Sequence, residues 1–107
     1  MPEVKIYHIV KGSIVEIKSA IFANGDTYII QDPHRKTLWI WIGNKSTVDE
    51  KFAAAQISQN ELIPQDRNYE IKTIEQGNES NEFLDIFGDS IKFVEGDVHS
   101  LLRHHES

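Results

Sequence analysis

Leu38-Trp39-Ile40-Trp41-Ile42-Gly43-Asn44, followed by Ser46-Thr47-Val48-Asp49-Glu50-Lys51-Phe52-Ala53-Ala54-Ala55, is the stretch that decides the fold. Its first part is an unbroken apolar run rich in β-branched and aromatic residues, as a strand buried on both faces requires. Trp39 and Trp41 lie two apart and so share one face of that strand. Gly43-Asn44 stops it. Thr47 then offers an N-cap, and Glu50 three positions later completes a capping-box spacing. Asp49 and Glu50 also carry negative charge where the helix dipole favours it. The alanines that follow favour helix and let it lie close on a sheet. Ala54 and Ile57 make a narrow apolar stripe with Phe52 beside it, and Pro64 ends the helix or follows its end.

Working outward, Thr27-Tyr28-Ile29-Ile30 is a second buried strand. Across the polar turn Asp32-Pro33-His34-Arg35-Lys36, it is the natural hairpin partner of the first. Val4 to Val10 alternates as a strand, Lys11-Gly12-Ser13 turns, and Ile14 to Ile17 resumes the β pattern. Ala20 to Asp26 reads as a connection ending in the turn signal Asn24-Gly25-Asp26. Downstream, Tyr69 to Ile74 alternates as a half-buried strand and Gln76-Gly77-Asn78 turns. Ser80 or Asn81 caps a short helix with Phe83, Leu84, Ile86 and Phe87 on its apolar face and Gly88 as its stop. Ile91 to Val94 suits a last short strand and Val98 to His104 a final helical turn. The order implies an α+β fold: one mixed sheet of about five strands between one long and one short helix.

At 107 residues, one domain spanning 1–107 is expected. Lys and Arg number 11 against 17 Asp and Glu, a net charge of -6 that repels nucleic-acid phosphates and anionic membrane. With no cysteine, disulfides, thiolate metal sites and cysteine catalysis are excluded. No apolar run is long enough to span a bilayer. The opening MPEVKIYHIV has no signal-peptide layout, so a cytoplasmic protein is expected. No Ser/His/Asp signature or phosphate loop is present, so no enzyme is expected. His8 reads as lying on a strand's polar side, and His104-His105 as a solvated tail.

Three stretches together resemble a gelsolin-like repeat, as found in gelsolin, villin and severin. These are Phe22 to Ile30 (FANGDTYII), Leu38 to Ala55 and Glu79 to Gly88 (ESNEFLDIFG), in order and at compatible spacing. A solitary repeat of this size resembles a minimal, archaeal-type gelsolin. The resemblance implies the sheet between a long and a short helix inferred above, an architecture related to ADF/cofilin. It also implies calcium and actin binding.

For Ca2+, the resemblance implies the Gly25 carbonyl, the Asp26 and Glu50 carboxylates, and the Val98 carbonyl as ligands. Hard cations take such oxygen sets. Asn24-Gly25-Asp26 is equally an ordinary turn, and Glu50 an ordinary capping residue whose two roles compete. Asp97 replaces a glycine of the family pattern beside Val98. For actin, the resemblance places the outer face of the long helix, here Gln56, Gln59 and Asn60, against the partner. Those polar side chains suit hydrogen bonding at a cleft rim, or a plain solvated face. A monomer that regulates actin monomers or assembly is expected, rather than one that severs filaments, which takes linked repeats. The alternatives are a gelsolin-fold interaction module that docks elsewhere, as in vesicle-coat proteins, and a calcium sensor that does not bind actin.

Overall fold

The computed structural model describes residues 4–10, 12–62 and 69–95. Five strands, β1 (Lys5–Val10), β2 (Ser13–Ile17), β4 (Thr27–Asp32), β5 (Thr37–Ile42) and β6 (Glu70–Glu75), form one sheet in the order β2-β1-β4-β5-β6. The first three pairings are antiparallel and β5–β6 is parallel, so the sheet is mixed. The remaining elements are β3 (Ile21–Ala23), α1 (Val48–Ile57), α2 (Asn81–Phe87) and β7 (Lys92–Val94).

The side-chain alternation of the strands divides the core in two. On one face Ile6, Tyr28, Ile30, Trp39, Trp41 and Ile74 meet Phe83, Ile86 and Phe87 of α2. On the other, Ile9, Ile29, Leu38 and Ile40 meet Ala53, Ala54 and Ile57 of α1. The central strands β4 and β5 serve both layers, and for that reason they are apolar in unbroken runs. The expected sandwich of a sheet between a long and a short helix is the observed one.

Two elements differ from the sequence reading. Part of the connection expected over Ala20 to Asp26 is the strand β3, which pairs in parallel with β7 as a separate two-stranded sheet. The last strand therefore extends β3 and not the main sheet. Phe22 of β3 is fully buried and forms an edge contact with Tyr28 at 4.9 Å between ring centres, with Trp41, Phe83 and Phe87 around it. This aromatic anchor adds buried packing to the few hydrogen bonds that a three-residue strand can make. The long helix, in turn, does not run on as regular α-helix: Ser58–Leu62 forms a wider π turn. The helical turn expected over Val98 to His104 lies outside the described residues.

Candidate cation cradle and helix face

The Asn24-Gly25-Asp26 turn is clamped by backbone on two sides. Gly43 N–H donates to the Asp26 carbonyl at 3.0 Å and Lys45 N–H to the Asn24 carbonyl at 2.8 Å. From β7, the Val94 carbonyl accepts from Asn24 N–H at 2.9 Å. Gly43 is essential to this approach: a Cβ there would fall 2.7 Å from the Asp26 carbonyl oxygen and closer still to that of Asn24. The Asn24-Gly25-Asp26 turn is thus set against the connection between β5 and α1 by main-chain contacts that any side chain at Gly43 would disturb.

Asp26 itself is buried, at 5% exposure. Its Oδ2 accepts from the Tyr28 hydroxyl at 3.2 Å, and the Tyr28 oxygen accepts from Ala23 N–H at 3.0 Å. His8 stacks on Tyr28, directly across from it in the β1–β4 pairing, and brings Nε2 to 3.2 Å from Asp26 Oδ2. That nitrogen lies within ion-pair distance yet makes no hydrogen bond of proper geometry. The distance is short, but hydrogen bonding is strongly directional and this geometry does not make one. His8 is therefore not on a polar strand face. It is 9% exposed, because its ring is stacked on that of buried Tyr28 and set against buried Asp26. Nothing in the local pattern marks it, since a histidine among alternating residues normally faces water.

Glu50 is half-buried at the first turn of α1 and completes the capping box. Its Oε1 accepts from Thr47 N–H at 3.2 Å and from the Thr47 hydroxyl at 3.1 Å, while Glu50 N–H donates to Thr47 Oγ1 at 3.1 Å. Burial first, and then the negative fields of Asp26 and Glu50, push the Tyr28 phenol well above the ordinary tyrosine range, against the opposing Ala23 N–H. Both carboxylates thus act on one hydroxyl, although one belongs to the sheet and the other to the helix. Beside Asp26, Thr27 is fully buried and its Oγ1 has no hydrogen-bond partner within the protein. The oxygen-only character of Gly25 carbonyl, Asp26 and Glu50 fits a hard cation. Among the described residues no group of three or more His, Cys, Asp or Glu converges as a metal centre. Val98 lies outside the described residues.

Gln56 of α1, and Gln59 and Asn60 of the π turn that follows it, are exposed. Phe52 is not beside the buried stripe. It stands 64% exposed, and Val48, one turn earlier, 77% exposed. Ala54 and Ile57 take the inward positions, and the helical rotation carries Phe52 round to the outer side. A groove of about 270 Å³ runs between this helix and the Gly12 turn, lined by Asp49, Phe52, Gln56 and Asn60 among others.

The gelsolin-repeat family model matches residues 8–84. Chicken (Gallus gallus) gelsolin is 29% identical over 96% of this chain, which spans only 14% of that protein's length. Among solved structures, the Thorarchaeota 2DGel3/rabbit actin complex matches at 35% identity with a TM-score of 0.78, covering 90% of this chain and 48% of that one. The Thorarchaeota ProGel/rabbit actin complex matches in fold, with a TM-score of 0.73 at 24% identity, over 79% of this chain and 99% of that one. The family match covers most of the chain and takes in both the clamped turn and the capped helix, so this chain belongs to the gelsolin-repeat family.

Proposed function

We propose that this chain is a non-enzymatic actin-binding domain that uses the outer face of α1, with a calcium ion held by the Gly25 carbonyl, Asp26 and Glu50. The observation that carries the actin part is the 35% identical neighbour, similar over 90% of this chain, whose structure is that of a complex with rabbit actin. A single exposed helix face suits binding of monomers, and so control of their availability for assembly, in a cytoskeletal, cytoplasmic setting.

For calcium, support comes from the two carboxylates whose fields meet at Tyr28, and from a donor set made only of oxygen. The ion would supply positive charge between those carboxylates and tie the 24–26 turn to the start of α1. Glu50 cannot serve the cation and keep its full bond to Thr47, so binding would exchange one for the other.

The test is calorimetric binding of the wild-type chain to monomeric actin, in calcium and in EGTA, alongside calcium titration of the free chain. Saturable actin binding, stronger in calcium, and a calcium heat abolished by Asp26→Ala support both parts. Absence of actin binding in either condition removes the first, and a flat calcium titration removes the second. The polar ends of Gln56, Gln59 and Asn60, all exposed, favour a second reading: an interaction module that keeps the fold and docks on another protein.

A further inference from the structure

Strand β6 ends the main sheet, and among the described residues it is paired on one side only, with β5. Two bonds that bracket it show which of its backbone groups are in use. Glu70 N–H donates to the Lys36 carbonyl and Gln76 N–H to the Ile42 carbonyl, each at 2.9 Å. A strand residue turns its N–H and C=O to one side, and the next residue turns them to the other. The even-numbered residues of β6 therefore serve β5, while Ile71, Thr73 and Glu75 turn theirs to the open edge. The register with β5 runs unbroken from Glu70 to Glu75, so no bulge or proline twists this edge away. Beside it an open groove separates β6 from the start of α2, lined by Lys72, Ile74, Ser80 and Glu82 among others. Lys72 is already engaged, with Nζ 3.3 Å from Glu82 Oε1 and 5.3 Å from the centre of the Trp39 ring. Glu70 and Glu75 are exposed on the edge strand itself.

We propose that the free edge of β6 is a strand-addition site for an extended, basic segment of another protein. The main chain of that segment pairs with the outward N–H and C=O groups of Ile71, Thr73 and Glu75, and its basic side chains answer Glu70 and Glu75. Main-chain bonds supply affinity in such additions, and the flanking side chains select the partner. The groove beside α2 leaves room for the side chains of the added strand. Charged residues on an edge commonly serve to keep strands off it. Two glutamates do so for an apolar or acidic strand, but they attract a basic one. A second copy of this chain would gather both pairs of glutamates into one strip, and like charges across a strand pair are unfavourable. This site lies on a different element from α1 and is independent of the actin reading.

The experiment measures binding of fluorescently labelled peptides to the full chain by anisotropy. The probes are a short peptide alternating lysine and valine, the same peptide with glutamate for lysine, and the lysine peptide with every backbone amide N-methylated. The last keeps its charge but cannot donate main-chain hydrogen bonds. The wild-type chain is expected to bind the lysine peptide saturably, the glutamate peptide not measurably, and the methylated one roughly tenfold more weakly or worse. Thr73→Pro removes an N–H that faces the open edge and spares the bonds to β5, a position where strands accept proline. It should also lose roughly tenfold or more, whereas Thr73→Val, which keeps the amide, should stay within about twofold. Glu70→Gln with Glu75→Gln should weaken binding and flatten its dependence on salt. A thermal melt accompanies each variant, and if Thr73→Pro does not fold, the methylated peptide on the wild-type chain decides. No binding of the lysine peptide overturns the proposal. Equal binding of the methylated peptide overturns it too, by reducing the contact to charge alone. So does a dimer of the wild-type chain, seen in sedimentation and abolished by Thr73→Pro, because the edge then belongs to a second copy.

Discussion

Asp26, Tyr28, His8 and Gly43 meet around the Asn24–Asp26 turn, and Tyr28 and Gly43 each make a distinct prediction. The Tyr28 phenol is held neutral in the folded chain well above its ordinary range. Above about pH 10 the unfolded chain loses this proton and the folded one keeps it, so the folded state binds more protons and stability falls as pH rises. The slope from this one group approaches about 1.4 kcal/mol per pH unit. Urea unfolding between pH 8 and 11 should show that decline, and Tyr28→Phe should flatten it. At neutral pH the same variant should cost about 1–3 kcal/mol, because Ala23 N–H loses its buried acceptor. Gly43→Ala forces a methyl group against the Asn24 and Asp26 carbonyls. A loss of about 1–3 kcal/mol in denaturant unfolding is expected, as for overpacking elsewhere. The family motif makes Asp26 and Gly43 visible in the sequence, since turn and strand stop are local signals. His8 is not visible, because its burial depends on contacts with Tyr28 and Asp26, which are distant from it in the chain.

Helix α1 is the element whose beginning is most legible, because a capping box is encoded by two residues three apart and needs no tertiary partner. Thr47→Ala should lower stability by about 1 kcal/mol, read from the denaturation midpoint. It should also tighten calcium binding in titration calorimetry, since it frees Glu50 Oε1 from the hydroxyl that now donates to it. The rest of the helix is less legible. Its inward stripe is only Ala54 and Ile57, too narrow to fix from sequence on which side Phe52 falls. The same limit applies to β3. Its partner β7 is remote in the chain, and its three residues carry too little alternation to be told from a connection. What holds β3 is Phe22, wedged among Tyr28, Trp41 and the α2 phenylalanines. Phe22→Ala should therefore cost about 3–5 kcal/mol in denaturant unfolding.

The whole molecule ties these scales together through one sheet with a helix on each face. Its order of buried runs, capped helix, alternating strand and short apolar helix is written in hydrophobic periodicity, so the architecture is open to sequence reading. The exposure of Phe52 and the burial of Tyr28 with His8 stacked on it are products of assembly and are not. That assembly ties the turn of Asp26 to the connection that leads into α1, the helix whose outer face is proposed to meet actin. A crystal structure of the chain with monomeric actin, grown in calcium, tests this most directly. Cation density shared by the Gly25 carbonyl, Asp26 and Glu50, with the outer face of α1 buried against actin, is the expected result. A complex in which those oxygens share no ion and the outer face of α1 remains in solvent would contradict it.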